Sequence, residues 1–325
     1  MRAVVFPGQG IQRRGMGRGL FGQFPDVTRQ ADDVLGYSVE ELCRADPGRR
    51  LSRTEYAQPA IYVVNALHHR AASPAADYLA GHSLGEYNAL LAAGAFDFVT
   101  GLTLVRHRAE LMGRCAGGGM AAVVGVPQRV IEETLATHEA AGVVIANHNA
   151  PEQFVLAGPA GELDRLKAVF EGTAGVRGFV PLRVGGAFHS PLMEPAAEAF
   201  RAVLDSVTFD ELRTPVVANV TGLPYASGGD AIRAVLAAQV VRPVRWADGV
   251  RYLRDAGVTD FVEAGGGKVL TSLIGKVLAE DPRTAPWREY RDERISALLR
   301  DGVAGKLTVG RIAQTIRTAG PPVEH

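Results

Sequence analysis

Apolar and polar residues change their spacing several times along the chain, and each change marks an element. Arg2–Phe6 carries the unbroken apolar run Ala3-Val4-Val5-Phe6 of a short buried strand, and Pro7-Gly8-Gln9-Gly10 ends it in a tight glycine loop. Helical patterns cover 21–35 and 59–70. The second is apolar nearly all round through Pro59-Ala60-Ile61-Tyr62-Val63-Val64, as a helix buried against a sheet should be. Tyr78-Leu79-Ala80 is a second short strand, and a helix-prone stretch from Glu86 to Ala93 follows it and stops at Gly94. Thr100–Arg114 is amphipathic, with Leu104, Val105, Leu111 and Met112 in one stripe.

The rhythm then differs. Strands are predicted at 120–126, 143–147, 153–157 and 178–184, with helices at 128–139 and 162–170. The order β-α-β-β-α-β is that of a ferredoxin-like module. Residues 119–185 therefore form a small domain inserted into a larger one made of 1–118 and 186–325. The larger domain resumes with strands at 214–219 and 260–264 and helices at 231–241, 246–255 and 269–279, the last preceded by Gly265-Gly266-Gly267-Lys268. Alternating strands and helices predict an α/β-hydrolase-like domain, a parallel sheet with helices on both faces.

Composition narrows the function classes. Lys plus Arg and Asp plus Glu both number 35, so no global field recruits nucleic acid or a membrane. No apolar run approaches the ~20 residues that span a bilayer, and no leader pattern precedes the first strand, so a cytoplasmic location is expected. Cys43 and Cys115 lack CxxC spacing and read as free thiols. There is no internal repeat, and only the stretch from Ala319 looks loose.

The candidate chemistry centres on Gly81-His82-Ser83-Leu84-Gly85, a G-x-S-x-G motif set between strand and helix. That context is a nucleophile elbow, in which a sharp turn leaves the serine hydroxyl exposed. Ser83 also stands at a helix N-terminus, where amides and dipole favour developing negative charge. The early glycine loop lacks G-x-G-x-x-G and a P-loop lysine, so it fits an oxyanion donor better than a phosphate cradle. In this kind of fold the donors are an early-loop amide, here Gln9, and the amide after the nucleophile, here Leu84. Arg13, Arg14 and Arg18 are either a solvated basic face or a landing patch for an anionic carrier. Arg108 falls inside the apolar stripe of its helix. A guanidinium there needs either an internal acid or a carboxylate brought by the substrate. His189 precedes Ser190, a good N-cap, and Pro191, a good first helical residue, so the positive helix end should keep it neutral as a general base requires. His148 is the runner-up, and His82 should point away from the serine.

Taken together, Phe6-Pro7-Gly8-Gln9-Gly10, Gly81-His82-Ser83-Leu84-Gly85-Glu86-Tyr87, Arg108, Ala187-Phe188-His189-Ser190, Gln239 with Pro243-Val244-Arg245-Trp246, and Glu263–Leu270 resemble the malonyl-CoA:acyl carrier protein transacylases and the acyltransferases of polyketide synthases. The likeness runs from about residue 1 to 280. Asn88 and Ala95-Phe96-Asp97-Phe98 resemble the discrete, trans-acting polyketide enzymes more than the fatty-acid one. The resemblance implies Ser83 as acyl-accepting nucleophile, His189 as its base and the Gln9 and Leu84 amides as oxyanion hole. It further implies that Arg108 holds the malonyl carboxylate and that a backbone carbonyl at Gln239 orients His189. Ala187-Phe188 is similar to the form of this loop associated with malonyl rather than methylmalonyl. Ala109 stands where glycine is usual, and Gly266 where proline is frequent. The implied reaction is ping-pong transfer from malonyl-CoA to the phosphopantetheine of a carrier protein by a monomer, with no metal or redox cofactor. Rival readings are an acyl hydrolase that clears stalled carriers, a non-catalytic carrier-docking module and a generic esterase.

Overall fold

A computed structural model describes residues 1–280; the stretch after that, including the loose end from Ala319, lies outside the described residues. The chain runs β1 (Arg2–Phe6), α1 (Pro25–Leu35), α2 (Val39–Ala45), α3 (Thr54–Ala72), β2 (Tyr78–Gly81), α4 (Gly85–Ala93) and α5 (Phe98–Arg114). Then come β3 (Gly118–Val124), α6 (Gln128–Thr137), β4 (Val144–Ala150), β5 (Gln153–Pro159), α7 (Ala160–Gly172) and β6 (Gly178–Pro181). The last described elements are α8 (Glu194–Asp205), β7 (Val216–Val217), α9 (Gly229–Gln239), α10 (Trp246–Asp255), β8 (Asp260–Glu263) and α11 (Val269–Leu278).

Two sheets organise these elements. β7-β2-β1-β8 is a parallel sheet, and β4-β5-β3-β6 is antiparallel throughout, with the strand order of a ferredoxin-like module. Strand β1 shows why its sequence is apolar at every position after Arg2. Side chains alternate across a strand, so Val4 and Phe6 enter one core cluster while Ala3 and Val5 enter another, and helices cover both. The antiparallel sheet is two-sided in a different sense. Ala121, Val123, Phe154 and Leu156 pack under α6 and α7, whereas Met120, Val155 and Ala157 face the main core. The inner face of one sheet therefore looks across at the ends of the other.

Several boundaries differ from the sequence expectation. Strand 214–219 contracts to Val216–Val217 and strand 178–184 to Gly178–Pro181; each holds register with one neighbour only, at a sheet edge. Helix 21–35 begins as a 3₁₀ turn at Phe21–Gln23, and the α-helix starts at Pro25, whose missing N–H costs nothing in the first turn. The helix at 59–70 begins earlier, at Thr54. Helix α2 was not expected, although Ser38 accepts from the Glu41 amide in a Ser-x-x-Glu start signal.

At the bend between β2 and α4 two backbones touch. A Cβ on Gly81 would lie 2.0 Å from the Gly85 carbonyl group, and one on Gly85 would lie 2.0 Å from the Phe6 carbonyl oxygen. Neither neighbour can yield, because both belong to buried backbone. Gly85→Ala should therefore destabilise the fold by about 3 kcal/mol or more in urea unfolding, whereas Gly161→Ala in α7, where the added Cβ meets nothing within 4 Å, should gain about 0.5 kcal/mol.

Candidate active site

Ser83 leaves β2 with φ of 50°, a left-handed conformation that a serine adopts only when its surroundings hold it there. Asn219 supplies that hold from beyond β7. Its Oδ1 accepts from the Ser83 amide at 2.6 Å and its Nδ2 donates to the Gly81 carbonyl at 2.6 Å, spanning the bend. With its own amide occupied, Ser83 leaves the next one, Leu84, as the available donor. Gly8 in the early loop presses on this turn, since a Cβ there would lie 2.3 Å from the His82 carbonyl oxygen. The loop thereby sets the Gln9 and Leu84 amides near each other, and neither donates a hydrogen bond to any described residue.

His189 approaches from the opposite side, on the segment that follows the antiparallel sheet, also with positive φ at 60°. Its Nε2 is 2.8 Å from the Ser83 hydroxyl, and its Nδ1 is 2.8 Å from the Gln239 backbone carbonyl. A carbonyl only accepts, so the proton sits on Nδ1 and Nε2 is free to accept from the serine. Ser190 caps the 3₁₀ turn Pro191–Met193 that leads into α8. Burial is the main force that holds the His189 pKa down, to about 3, and the nearby Arg108 charge is the second.

Arg108, on α5, is 1% exposed and stands behind the serine. Its Nη2 donates to Ser83 Oγ at 3.1 Å and to Gln239 Oε1 at 3.0 Å, and its Nη1 donates to Gln58 Oε1 at 2.7 Å. The Tyr87 ring lies 5.5 Å from the guanidinium carbon. No described carboxylate pairs with it within ion-pair distance. Of the two partners the stripe allowed, no described residue supplies the internal acid; two neutral glutamine oxygens accept from the Nη groups, and among the described residues Nε has no partner. Gln239 is the hub: besides Arg108 and His189, its Nε2 reaches the Ser83 carbonyl at 2.9 Å and Glu86 Oε2 at 2.5 Å.

Ser83 and His189 open into a cavity of about 660 Å³ between the sheets. The loops after β1, β2 and β8 supply one wall, at the carboxyl ends of the parallel strands where such sheets bind ligands. Met120, Asn147, Asn149 and Val155 from the antiparallel sheet supply the other, with Phe188 beside the histidine and exposed Lys268 and Lys276 at the rim.

His82 and His148, the other histidines considered, have different partners. His82 lines the cavity but bonds Asn149 at 2.8 Å and packs on Trp246, away from the serine hydroxyl. His148 stacks on Phe154, with ring centroids 4.6 Å apart, beside the cluster in which buried Arg251 joins Asp248 and Glu280. Among the described residues no group of acids, histidines and cysteines could hold a metal, and no helix is long and apolar enough to cross a membrane. Arg13, Arg14 and Arg18 are exposed, and the first two donate to the carbonyls of Gly266 and Arg44.

A family model described as an acyl transferase domain matches residues 3–321. The chain belongs to that family. It is 48% identical over 284 residues to the polyketide biosynthesis malonyl CoA-acyl carrier protein transacylase BaeC of Bacillus velezensis, covering 86% of this chain and 98% of that one. It is 46% identical over 306 residues to the polyketide biosynthesis protein PksE of Bacillus subtilis, 93% of this chain but only 39% of that longer protein. A crystal structure of malonyl CoA-acyl carrier protein transacylase from Burkholderia pseudomallei superposes with a TM-score of 0.83 at 46% identity, covering 87% and 99% of the two chains. The parallel and antiparallel sheets seen here are thus the architecture of these transacylases.

Gln58, Glu86, Asn219 and Tyr225 complete the hydrogen-bond network around Ser83 and Arg108, and sequence reading gave none of them a role. Glu86 stood within the Gly81–Tyr87 motif and Gln58 one residue ahead of the predicted helix at 59–70; Asn219 and Tyr225 reach the site only through the fold.

The depressed His189 pKa has a thermodynamic consequence. Its stabilising contribution is present above the unfolded value of about 6.5 and is lost as pH falls toward about 3, because there only the unfolded chain takes up the proton. Between about pH 6 and 4, wild type should lose about 1.4 kcal/mol of stability per pH unit more than His189→Gln, measured by urea unfolding at each pH.

Proposed function

We propose that this chain moves the malonyl group of malonyl-CoA, through an ester on Ser83, to the phosphopantetheine thiol of an acyl carrier protein in polyketide biosynthesis. The observation that carries the reading is the shared Ser83 hydroxyl, bonded at once to a neutral imidazole and to a buried guanidinium without an acid partner. The first makes the serine a nucleophile. The second asks the acyl group itself to bring a carboxylate.

The steps follow from these positions. His189 Nε2 takes the Ser83 proton as the oxygen attacks the thioester carbonyl, and the Gln9 and Leu84 amides receive the developing oxyanion. The carbon–sulfur bond breaks, and His189 returns the proton to the CoA sulfur. The carrier thiol then repeats the sequence in reverse: His189 takes its proton, sulfur attacks the ester, and Ser83 leaves reprotonated. A substrate carboxylate paired with Arg108 would also cancel part of the charge that holds down the His189 pKa, so the base strengthens when a diacid is bound. Lys268 and Lys276 at the rim suit the phosphates of either thiol carrier. Phe188 in the cavity wall supports malonyl over its α-methyl homologue.

Intact-protein mass after exposure to malonyl-CoA and acetyl-CoA tests the reading. Wild type should gain one malonyl group and Ser83→Ala none, while Arg108→Ala should lose malonyl loading about a hundredfold with little effect on acetyl. Holo-carrier protein should discharge the ester. Discharge by water at the same rate without carrier would favour the hydrolase reading instead.

A further inference from the structure

Glu86 is fully buried, directly behind the site, and none of the steps above uses it. Its Oε1 accepts from the Asn219 amide at 3.2 Å and from the Tyr225 hydroxyl at 2.6 Å, while Oε2 accepts from Gln239 Nε2. A primary amide has one donating and one accepting end. With its NH₂ held by Glu86 and the Ser83 carbonyl, Gln239 must turn its oxygen toward Arg108. Its backbone carbonyl meanwhile holds His189. We infer that Glu86 is a positioning residue: its carboxylate fixes the amide of Gln239, and through it the guanidinium that receives the acyl carboxylate and the imidazole that activates Ser83.

The arrangement requires the ionised form. Oε2 has a single donor where Oε1 has two, so it is the readier site for a proton. An O–H there would face the Gln239 N–H, donor against donor, and the amide would have to turn its NH₂ onto the Arg108 cation. The titratable and charged groups facing Glu86 are Tyr225 from the segment after β7, Arg108 from α5, and Tyr87 on its own helix. Burial outweighs them and raises the carboxyl pKa to about 7, while the Tyr225 hydrogen bond is the largest influence lowering it. Because the folded value lies above the unfolded one, protonation sets in as pH drops through about 7. In the protein without substrate, burial and the Arg108 charge hold the His189 pKa down to about 3, far below that change.

This inference rests on the transferase reading, and its test separates the two. Initial rates of Ser83 malonylation and acetylation are measured from about pH 5 to 9. Wild-type malonylation should show an acid limb with its midpoint near 7. Tyr225→Phe, which keeps the ring but removes one hydrogen bond to the carboxylate, should move that midpoint upward. Glu86→Gln should lack the limb and lose the malonyl-over-acetyl preference by about tenfold, the equivalent of one hydrogen bond to a charged group, while Glu86→Asp restores part of it. A merely structural role would lower the melting temperature of these variants but leave midpoint and preference unmoved, and that outcome overturns the inference. Wild type that takes no malonyl at any pH overturns both readings. Wild type that loads malonyl, with Tyr225→Phe titrating identically and Glu86→Gln still preferring malonyl, overturns only the positioning role.

Discussion

A buried guanidinium with no described carboxylate against it is the constraint from which the rest of the site follows. Such a group is costly to bury, and it is tolerated here because Gln58 and Gln239 turn their side-chain oxygens to it and the Tyr87 ring lies beside it. The same charge helps keep His189 neutral. An acid paired directly with Arg108 would make the core more comfortable and close the site to a diacid. The nearest buried carboxyl, Glu86, instead acts at one remove, through the amide of Gln239.

The Ser83 and His189 side chains come from different parts of the chain, and both leave strained backbone. Ser83 and His189 each have positive φ, at 50° and 60°, which costs about 1 kcal/mol or more apiece. Asn219 offsets the first by spanning the elbow, and the capped turn after Ser190 steadies the second. Strain at these points aims the hydroxyl and imidazole into one cavity whose walls belong to two sheets.

This division of labour accounts for the histidines. His82 and His148 are partly buried, and each is committed: one to Asn149 and Trp246, the other to Phe154 beside the Asp248–Arg251–Glu280 cluster. Among the described residues only His189 combines a carbonyl behind one ring nitrogen with a hydroxyl before the other.

Much of this was legible in the residues. Apolar periodicity predicted the strands that are buried on both faces and the β-α-β-β-α-β order, because local pattern is set by which face each side chain must hide. The glycines at 81 and 85 predicted the elbow, because only a missing Cβ permits that approach. Edge strands were overestimated, since their apolar residues continue past the point where a neighbour is available to bond. The sequence alone also left the partner of Arg108 open, did not foresee the burial that lowers the His189 pKa, and gave no role to Glu86, Asn219 and Tyr225. Hydrogen bonds between residues more than a hundred positions apart carry no periodicity, and desolvation depends on what the whole fold places around a group. Those matters were decided only by the tertiary structure, which brings distant segments of the chain against the elbow and buries them there.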